Sequence, residues 1–75
     1  MIRKFIDEKI EKDLKSFETA EDLYKSYKSF CEKHSVTPLT KIRFGKQLDN
    51  LNIGVKHSKM QNRVILYGRQ GVRLK

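Results

Sequence analysis

Residues 40–51 read TKIRFGKQLDNL, and this short basic segment decides how the rest of the chain is interpreted. Phe44, Leu48 and Leu51 fall at i, i+4 and i+7, which places them on one face of an α-helix and makes that face a core side. At about 100° per residue, a second group points away from the core. That group is Ile42, Arg43, Lys46, Asp49 and Asn50. Any small helix has a polar outer face, so the role of this one depends on its context.

Two helices are predicted before this segment. Apolar residues at helical spacing, from Ile2 to Leu14, predict an amphipathic helix 1 over residues 2–17. Thr19 is the predicted N-cap of helix 2, at about residues 20–34, and Thr40 is the predicted N-cap of helix 3. The apolar stripe of helix 2 is Leu23, Tyr24, Tyr27, Phe30 and Cys31. Its aromatic residues are predicted to be core residues, because that face must contact the other helices.

Beyond residue 51 the apolar period changes from helical to extended. Ile53, Val55 and His57 alternate, a polar SKMQN turn follows at 58–62, and RVILY then leads through two glycines to a final VRL. This order predicts an α+β fold of the winged helix-turn-helix type, with three helices followed by a β-hairpin wing and a short last strand. No internal repeat or low-complexity linker divides the chain, so one domain is predicted over residues 1–75.

The charge is concentrated in the second half of the chain. Residues 1–40 contain eight Lys or Arg and eight Asp or Glu, whereas residues 41–75 contain nine basic residues against Asp49 alone. The second half therefore carries the entire net charge of +8. A basic cluster of this kind favours a polyanionic partner, since Lys and Arg attract phosphates and release counterions on binding. The alternative is a basic surface that only aids solubility.

Other classes of protein find little support in the residues. Cys31 is the only cysteine, which excludes an internal disulfide, fits a reducing cytoplasmic compartment and predicts a buried structural thiol. The longest apolar run has three residues, so no membrane span is predicted. His34 and His57 do not match zinc-ligand spacing with Cys31, and a Cys31–His34 nucleophile pair lacks a third orienting group. We expect no metal, no cofactor, no small-molecule ligand and no catalytic residue.

The predicted layout indicates how DNA would be bound. In a winged helix-turn-helix the last helix enters the major groove and the wing lies along the backbone or minor groove. Arg and Lys donate to guanine, Asn pairs with adenine, and a helix amino terminus attracts phosphate. The candidate DNA-binding residues are Thr40, Lys41, Arg43, Lys46, Gln47, Asn50, Lys56, Lys59, Asn62 and Arg63.

Two segments also resemble a known family. The run LYKSYKSFCEKHSVTPLTKIRFGKQL at 23–48 and YGRQGVRL at 67–74 are similar to the carboxy-terminal winged-helix domain of phage and plasmid primase-helicases. These ring-forming helicases include replication initiators of mobile genetic elements. The matching positions are Leu23, Tyr24, Tyr27, Phe30, Cys31, Pro38, Leu39, Phe44, Gly45, Leu48, Tyr67, Gly68, Gly71 and Leu74. The resemblance implies a domain that follows an ATP-driven helicase module and helps it to engage origin DNA.

Three hypotheses remain in competition at this point. The first is double-stranded DNA binding at a replication origin, without enzyme activity in these residues, because no GxxxxGK[ST] motif is present. The second is a protein-interaction winged helix that docks an acidic partner or regulates an attached helicase. The third is single-stranded DNA or RNA binding with Tyr67 or Tyr24 as a stacking platform, which requires an exposed ring.

Overall fold

The computed structural model describes residues 2–75, and Met1 of the predicted 1–75 domain lies outside them. The element bounds are α1 Ile2–Lys9, β1 Ile10–Thr19, α2 Ala20–Lys33, α3 Lys41–Asn50, β2 Val55–Gln61 and β3 Val64–Leu74. The three strands form one antiparallel sheet in the order β1-β3-β2. The predicted α+β class with three helices is confirmed. Within residues 2–75, no helix has the length and apolar character needed to cross a membrane.

The predicted first helix is wrong in its second half. The chain is helical only over Ile2–Lys9, and from Ile10 it is extended and pairs with β3. Leu14, which helical spacing placed on the apolar stripe, is 88% exposed. The residues after Ile10 are acceptable helix formers, so the pairing with a distant strand overrides a weak local preference. The sheet therefore has three strands rather than the two of a simple hairpin.

β1 bulges at residues 13–16, where its register with β3 shifts. The Asp13 carboxylate closes the bulge by accepting hydrogen bonds from the Lys15 N–H at 3.1 Å and the Ser16 hydroxyl at 2.9 Å. On β3 the shift falls at Gly71, whose φ of +91° lies in the left-handed region that glycine adopts without strain. The bulge therefore depends on a carboxylate on one strand and a glycine on the other.

Both predicted helix caps are confirmed. The Thr19 hydroxyl accepts a hydrogen bond from the Asp22 N–H at 3.1 Å, and the Thr40 hydroxyl accepts one from the Arg43 N–H at 3.3 Å. Each hydroxyl satisfies an N–H that has no partner inside its helix. The start of α2 and of α3 is therefore fixed by the residue that the sequence indicates.

Two tyrosines of α2 hold the segment that leads into α3. The Tyr24 hydroxyl donates to the Leu39 carbonyl at 2.8 Å, and the Leu39 N–H donates to the Tyr27 hydroxyl at 3.1 Å. Burial raises the pKa of the Tyr27 hydroxyl above its ordinary value. These two hydroxyls satisfy the backbone C=O and N–H of Leu39, which have no strand partner. The segment that precedes α3 is therefore anchored to α2.

The predicted hairpin is present, but its turn lies later than expected. Residues 58–61 of the predicted SKMQN turn belong to β2, and the turn itself is Asn62–Arg63, with φ values of 51° and 64°. Positive φ at both central residues matches the right-handed twist of the flanking strands, and asparagine tolerates this geometry. The separate last strand is also wrong, because β3 runs from Val64 to Leu74 as one strand.

Aromatic rings fill the core between the helices. Phe5 of α1 is fully buried and makes edge contacts with the rings of Tyr27, Phe30 and Phe44, at centroid distances of 5.5, 5.6 and 6.1 Å. Tyr27 and Phe44 stack at 4.5 Å, which joins α2 to α3. The core assignment of the α2 aromatic residues is confirmed for Tyr27 and Phe30. Cys31 is fully buried, as predicted.

Two glycines are expected to respond in opposite ways to alanine. A Cβ on Gly68 would collide with the Glu18 carbonyl oxygen and reach the Thr19 Cα at 2.8 Å, so Gly68→Ala should lower the free energy of unfolding by about 1–3 kcal/mol. Gly45 lies inside α3 with nothing within 4 Å of an added Cβ, so Gly45→Ala should raise it by about 0.5–1 kcal/mol. Urea unfolding measures both effects. A Gly68→Ala variant as stable as the parent would contradict the close approach of β1 and β3.

Candidate nucleic-acid interface

The outer face of α3 carries most of the candidate DNA-binding residues. Phe44 and Leu48 are buried, as predicted for its inner face. Every candidate on this helix is exposed, and these are Lys41, Arg43, Lys46, Gln47 and Asn50. Thr40 is exposed too, with its hydroxyl engaged as the helix cap. The sequence therefore separated the inner and outer faces of this helix correctly.

α3 presents its polar residues on two flanks. Gly45 and Asp49 face the sheet, because the Gly45 carbonyl and the Asp49 carboxylate both accept hydrogen bonds from Arg69 of β3. At about 100° per residue, the opposite flank carries Arg43, Gln47 and Asn50. Lys46 lies between the two flanks. The helix thus offers an Arg–Gln–Asn flank to solvent and a second flank that adjoins the hairpin.

A cleft separates the second flank from the hairpin, and we call it the α3–hairpin cleft. Two adjoining depressions form it, and both are lined by Ala20, Lys41, Gly45 and Lys56. The inner depression, of about 290 Å³, also has Leu23, Phe44, Leu48, His57, Tyr67, Gly68 and Arg69 in its walls. The outer depression adds Ile42, Lys46 and Asp49. The fold therefore brings three predicted lysines, 41, 46 and 56, around one cleft with an apolar floor.

The remaining hairpin candidates do not share this cleft. Lys59 lies on the opposite face of the sheet, since side chains alternate along β2 and its Nζ sits 4.9 Å from the centroid of the Phe17 ring. Asn62 and Arg63 form the turn, roughly 20 Å along the strand from Lys56 at about 3.3 Å per residue. The predicted site is thus divided between the cleft, the hairpin turn and the far face of the sheet.

Arg69 is the residue that sequence reasoning missed. It was counted with the surface charge, but it is 5% exposed, and its guanidinium donates to the Ile53 carbonyl at 3.1 Å, to the Gly45 carbonyl at 3.1 Å and to the Asp49 carboxylate. Asp49 also pairs with Lys56, 3.3 Å away. The expectation that Asp49 simply points to solvent is therefore incomplete. One signal was available in the sequence, because Asp49 is the single acid among nine basic residues.

Internal ion pairs reduce the basic surface that is free to bind a partner. Arg69 is buried against Asp49, and Arg73 pairs with Glu11 across the β1–β3 ladder. Eight of the nine basic residues of 41–75 are exposed, but Arg73 and Lys56 are engaged in ion pairs. The exposed basic residues outside these pairs are Lys41, Arg43, Lys46, Lys59, Arg63 and Lys75. The electrostatic footprint is therefore smaller than the sequence charge implied, but all of it except Lys75 still lies on α3 and the hairpin.

The two tyrosines considered as stacking platforms differ sharply in exposure. Tyr24 is half-buried and its hydroxyl is used by the Leu39 carbonyl. Tyr67 is 68% exposed and lies opposite Ser58, a small residue that leaves the ring uncovered. Tyr67 lines the α3–hairpin cleft together with Lys41 and Lys56. It is thus the one ring of this pair that a ligand could contact.

No cluster of three or more potential metal ligands occurs within residues 2–75. His34 closes the end of α2 and packs on Phe30 at a centroid distance of 4.4 Å. His57 lies on β2 with its ring 5.9 Å from that of Phe17. The structure thus places the two histidines on separate elements, each against an aromatic ring.

Comparison with known proteins gives one result. The model of a family described as Poxvirus D5 protein-like matches residues 1–70. This match supports a viral primase-helicase-type domain with a role in viral DNA replication. No curated protein and no solved structure matches the chain.

Replacing Arg69 tests its role in holding α3 to the sheet. Arg69→Met keeps the length of the side chain but leaves two backbone carbonyls and Asp49 without their donor, so the free energy of unfolding should fall by about 2–3 kcal/mol. Arg73→Met is the matched control, because its partner Glu11 is at the surface, and it should cost less than about 1 kcal/mol. Urea unfolding of both variants measures these changes. Equal losses in the free energy of unfolding would refute the role of Arg69 in holding α3 to the sheet.

The same network predicts a dependence on pH. The hydrogen bond from Arg69, aided by Lys56, holds the pKa of the Asp49 carboxyl below its ordinary value. A carboxyl whose pKa is lower in the folded state than in the unfolded state stabilises the fold when it is ionised. This stabilisation is fully present above the unfolded-state pKa of about 3.9, and it is lost as the pH falls below that value toward the folded-state pKa. The parent should therefore lose more stability than Asp49→Asn between neutral pH and pH values under about 4. Urea midpoints at a series of pH values measure this, and parallel curves would contradict it.

Proposed function

We propose, since this chain belongs to the poxvirus D5 protein-like family, that it binds double-stranded DNA as the winged-helix domain of a replication initiator helicase. In this proposal the domain recognises or engages a replication origin in the cytoplasm, and an associated helicase module supplies ATP hydrolysis. The 75 residues themselves carry no phosphate-binding GxxxxGK[ST] motif and act as a binding module without enzyme activity.

The order of the elements supports the winged-helix part of the proposal. A helix-turn-helix pair needs two helices joined by a short segment, and α2 and α3 are separated by residues 34–40. β2 and β3 follow α3 directly and form a hairpin that extends past the end of β1. This hairpin stands where a wing is expected, next to the helix that would enter the major groove.

One observation carries the proposal. Lys41 and Lys46 of α3 and Lys56 of β2 line the same cleft, so basic side chains from the helix and the hairpin converge on a single surface. A polyanion that follows this surface would contact both elements at once. Phosphate contacts from lysines position a duplex, whereas base contacts specify its sequence. We assign the three lysines to the phosphates.

The exposed Arg–Gln–Asn flank of α3 is the proposed base-reading face. Arg43 has the donor geometry for guanine O6 and N7, and Asn50 or Gln47 has that for adenine N6 and N7. Asn62 and Arg63 at the hairpin turn are proposed to contact the backbone of an adjacent groove. Lys59 faces away from α3, so it is assigned the weakest contribution.

The experiment removes two positive charges from α3 and compares them with two removed elsewhere. Arg43→Ala combined with Lys46→Ala should weaken binding to a labelled duplex roughly ten- to a hundredfold and make the affinity less dependent on salt. Fluorescence anisotropy at several salt concentrations measures both quantities. The salt dependence falls because the lost Lys46 contact no longer releases a counterion from a phosphate, and the affinity falls further because Arg43 no longer contacts a base.

Lys25→Ala combined with Lys33→Ala is the matched control. Both lysines are exposed on α2, so the net charge changes equally while α3 stays intact. Binding by this variant should stay within about threefold of the parent if the charge effect is local. Equal losses in the two double variants, or a parent that binds no duplex at roughly physiological salt, would overturn the proposal and favour docking of an acidic protein.

A further inference from the structure

The ring of Tyr67 is exposed, and within the part of the chain that the structure describes it makes none of the hydrogen bonds or ring contacts by which the other tyrosines stabilise the fold. Tyr24 and Tyr27 use their hydroxyls to hold the segment before α3. Among residues 2–75, no aromatic ring pairs with the Tyr67 ring, no cation covers it and no hydrogen bond engages its hydroxyl. The ring is 68% exposed, so it is available to stack on an external ligand.

The position of Tyr67 in the sheet explains why its ring is open. β1 ends at Thr19, which pairs with Gly68, so no third strand lies beside Tyr67. Its partner on β2 is Ser58, whose side chain is too short to cover a ring. The ring lines two depressions, namely the α3–hairpin cleft and a second depression of about 300 Å³ that includes Val64, Ile65 and Leu66 of β3.

The charges around the ring are arranged unevenly. Lys41 lines both depressions and Lys56 lines the cleft, whereas Glu21 lines the second depression. A phosphate would be attracted to the cleft side and repelled from the Glu21 side. An exposed aromatic ring flanked by lysines is the arrangement that proteins use for unpaired nucleotides, with the base stacked on the ring and the phosphate near the cations.

We infer that Tyr67 stacks on an unpaired nucleobase of a DNA strand whose phosphates are held by Lys41 and Lys56 at the α3–hairpin cleft. This inference rests on the proposed DNA-binding function and adds a substrate feature to it. Inside a duplex both faces of every base are covered by neighbouring bases, so the ring can stack on a base only where nucleotides are unpaired, as at a fork or an opened site. The preferred substrate is therefore a duplex that adjoins unpaired nucleotides.

The test compares a blunt duplex with the same duplex ending in an unpaired fork. The parent should bind the forked DNA about tenfold more tightly, which lies within the range for stacking of one base. Tyr67→Phe should keep this preference, because the ring is retained. Tyr67→Leu should lose it, because the side chain stays apolar but is no longer flat. Affinity for the blunt duplex should be unchanged in both variants.

Contact is tested separately by photo-crosslinking. Forked DNA with iodouracil in the unpaired segment should crosslink to Tyr67, and mass spectrometry of the digested complex identifies the residue. Tyr67→Leu should abolish the crosslink. A crosslink confined to another residue would refute the assignment.

The outcomes separate the two proposals. A parent that binds blunt and forked DNA equally would overturn the role of Tyr67 and leave the duplex-binding function standing, whereas no binding to either DNA would overturn both. If Tyr67→Leu behaves like the parent, the contact is not stacking. If Tyr67→Leu instead changes the sedimentation of the free protein, the exposed ring serves self-association and the inference fails.

Discussion

The buried guanidinium of Arg69 is the interaction on which the arrangement of helix and hairpin depends. A charge this deeply buried is tolerated only when its donors are satisfied and an opposite charge compensates it. Arg69 has three such partners, namely the Gly45 carbonyl and the Asp49 carboxylate within α3 and the Ile53 carbonyl in the segment after α3. Satisfying Arg69 therefore fixes α3 relative to β3, and with it the width of the α3–hairpin cleft.

The same pairing determines which charges face a partner. Because Asp49 is paired with Arg69 and Lys56, the negative charge of the only acid of the second half is compensated, although its carboxylate still lines the outer depression of the cleft. An anion at α3 then meets Lys41, Lys46 and Arg43, and the one carboxylate nearby is already engaged by two cations. The buried ion pair thus serves two purposes, since it anchors the helix and leaves the outer field positive.

The parts of the fold that the sequence predicts are those set by local interactions. Helices α2 and α3 and their caps at Thr19 and Thr40 follow from apolar spacing and from hydroxyls that satisfy nearby N–H groups. β1 could not be predicted in this way, because residues 10–17 suit a helix locally and become a strand only through pairing with β3. Arg69 was hidden for a related reason, since a count of charges treats every arginine as a surface residue.

The hairpin differs from the rest of the molecule in how it is supported. β1 pairs with β3 only as far as Gly68, so the outer part of the hairpin is two-stranded and every residue of β2 is exposed. Ribbons of two strands are marginal when they stand alone, and this one has apolar side chains at Met60, Val64 and Ile65 in contact with water. Arg69 and Gly68 mark the boundary between the packed base of the hairpin and this outer arm. A partner that covers the arm would bury its apolar surface, so binding would supply the stabilisation that the third strand provides at the base.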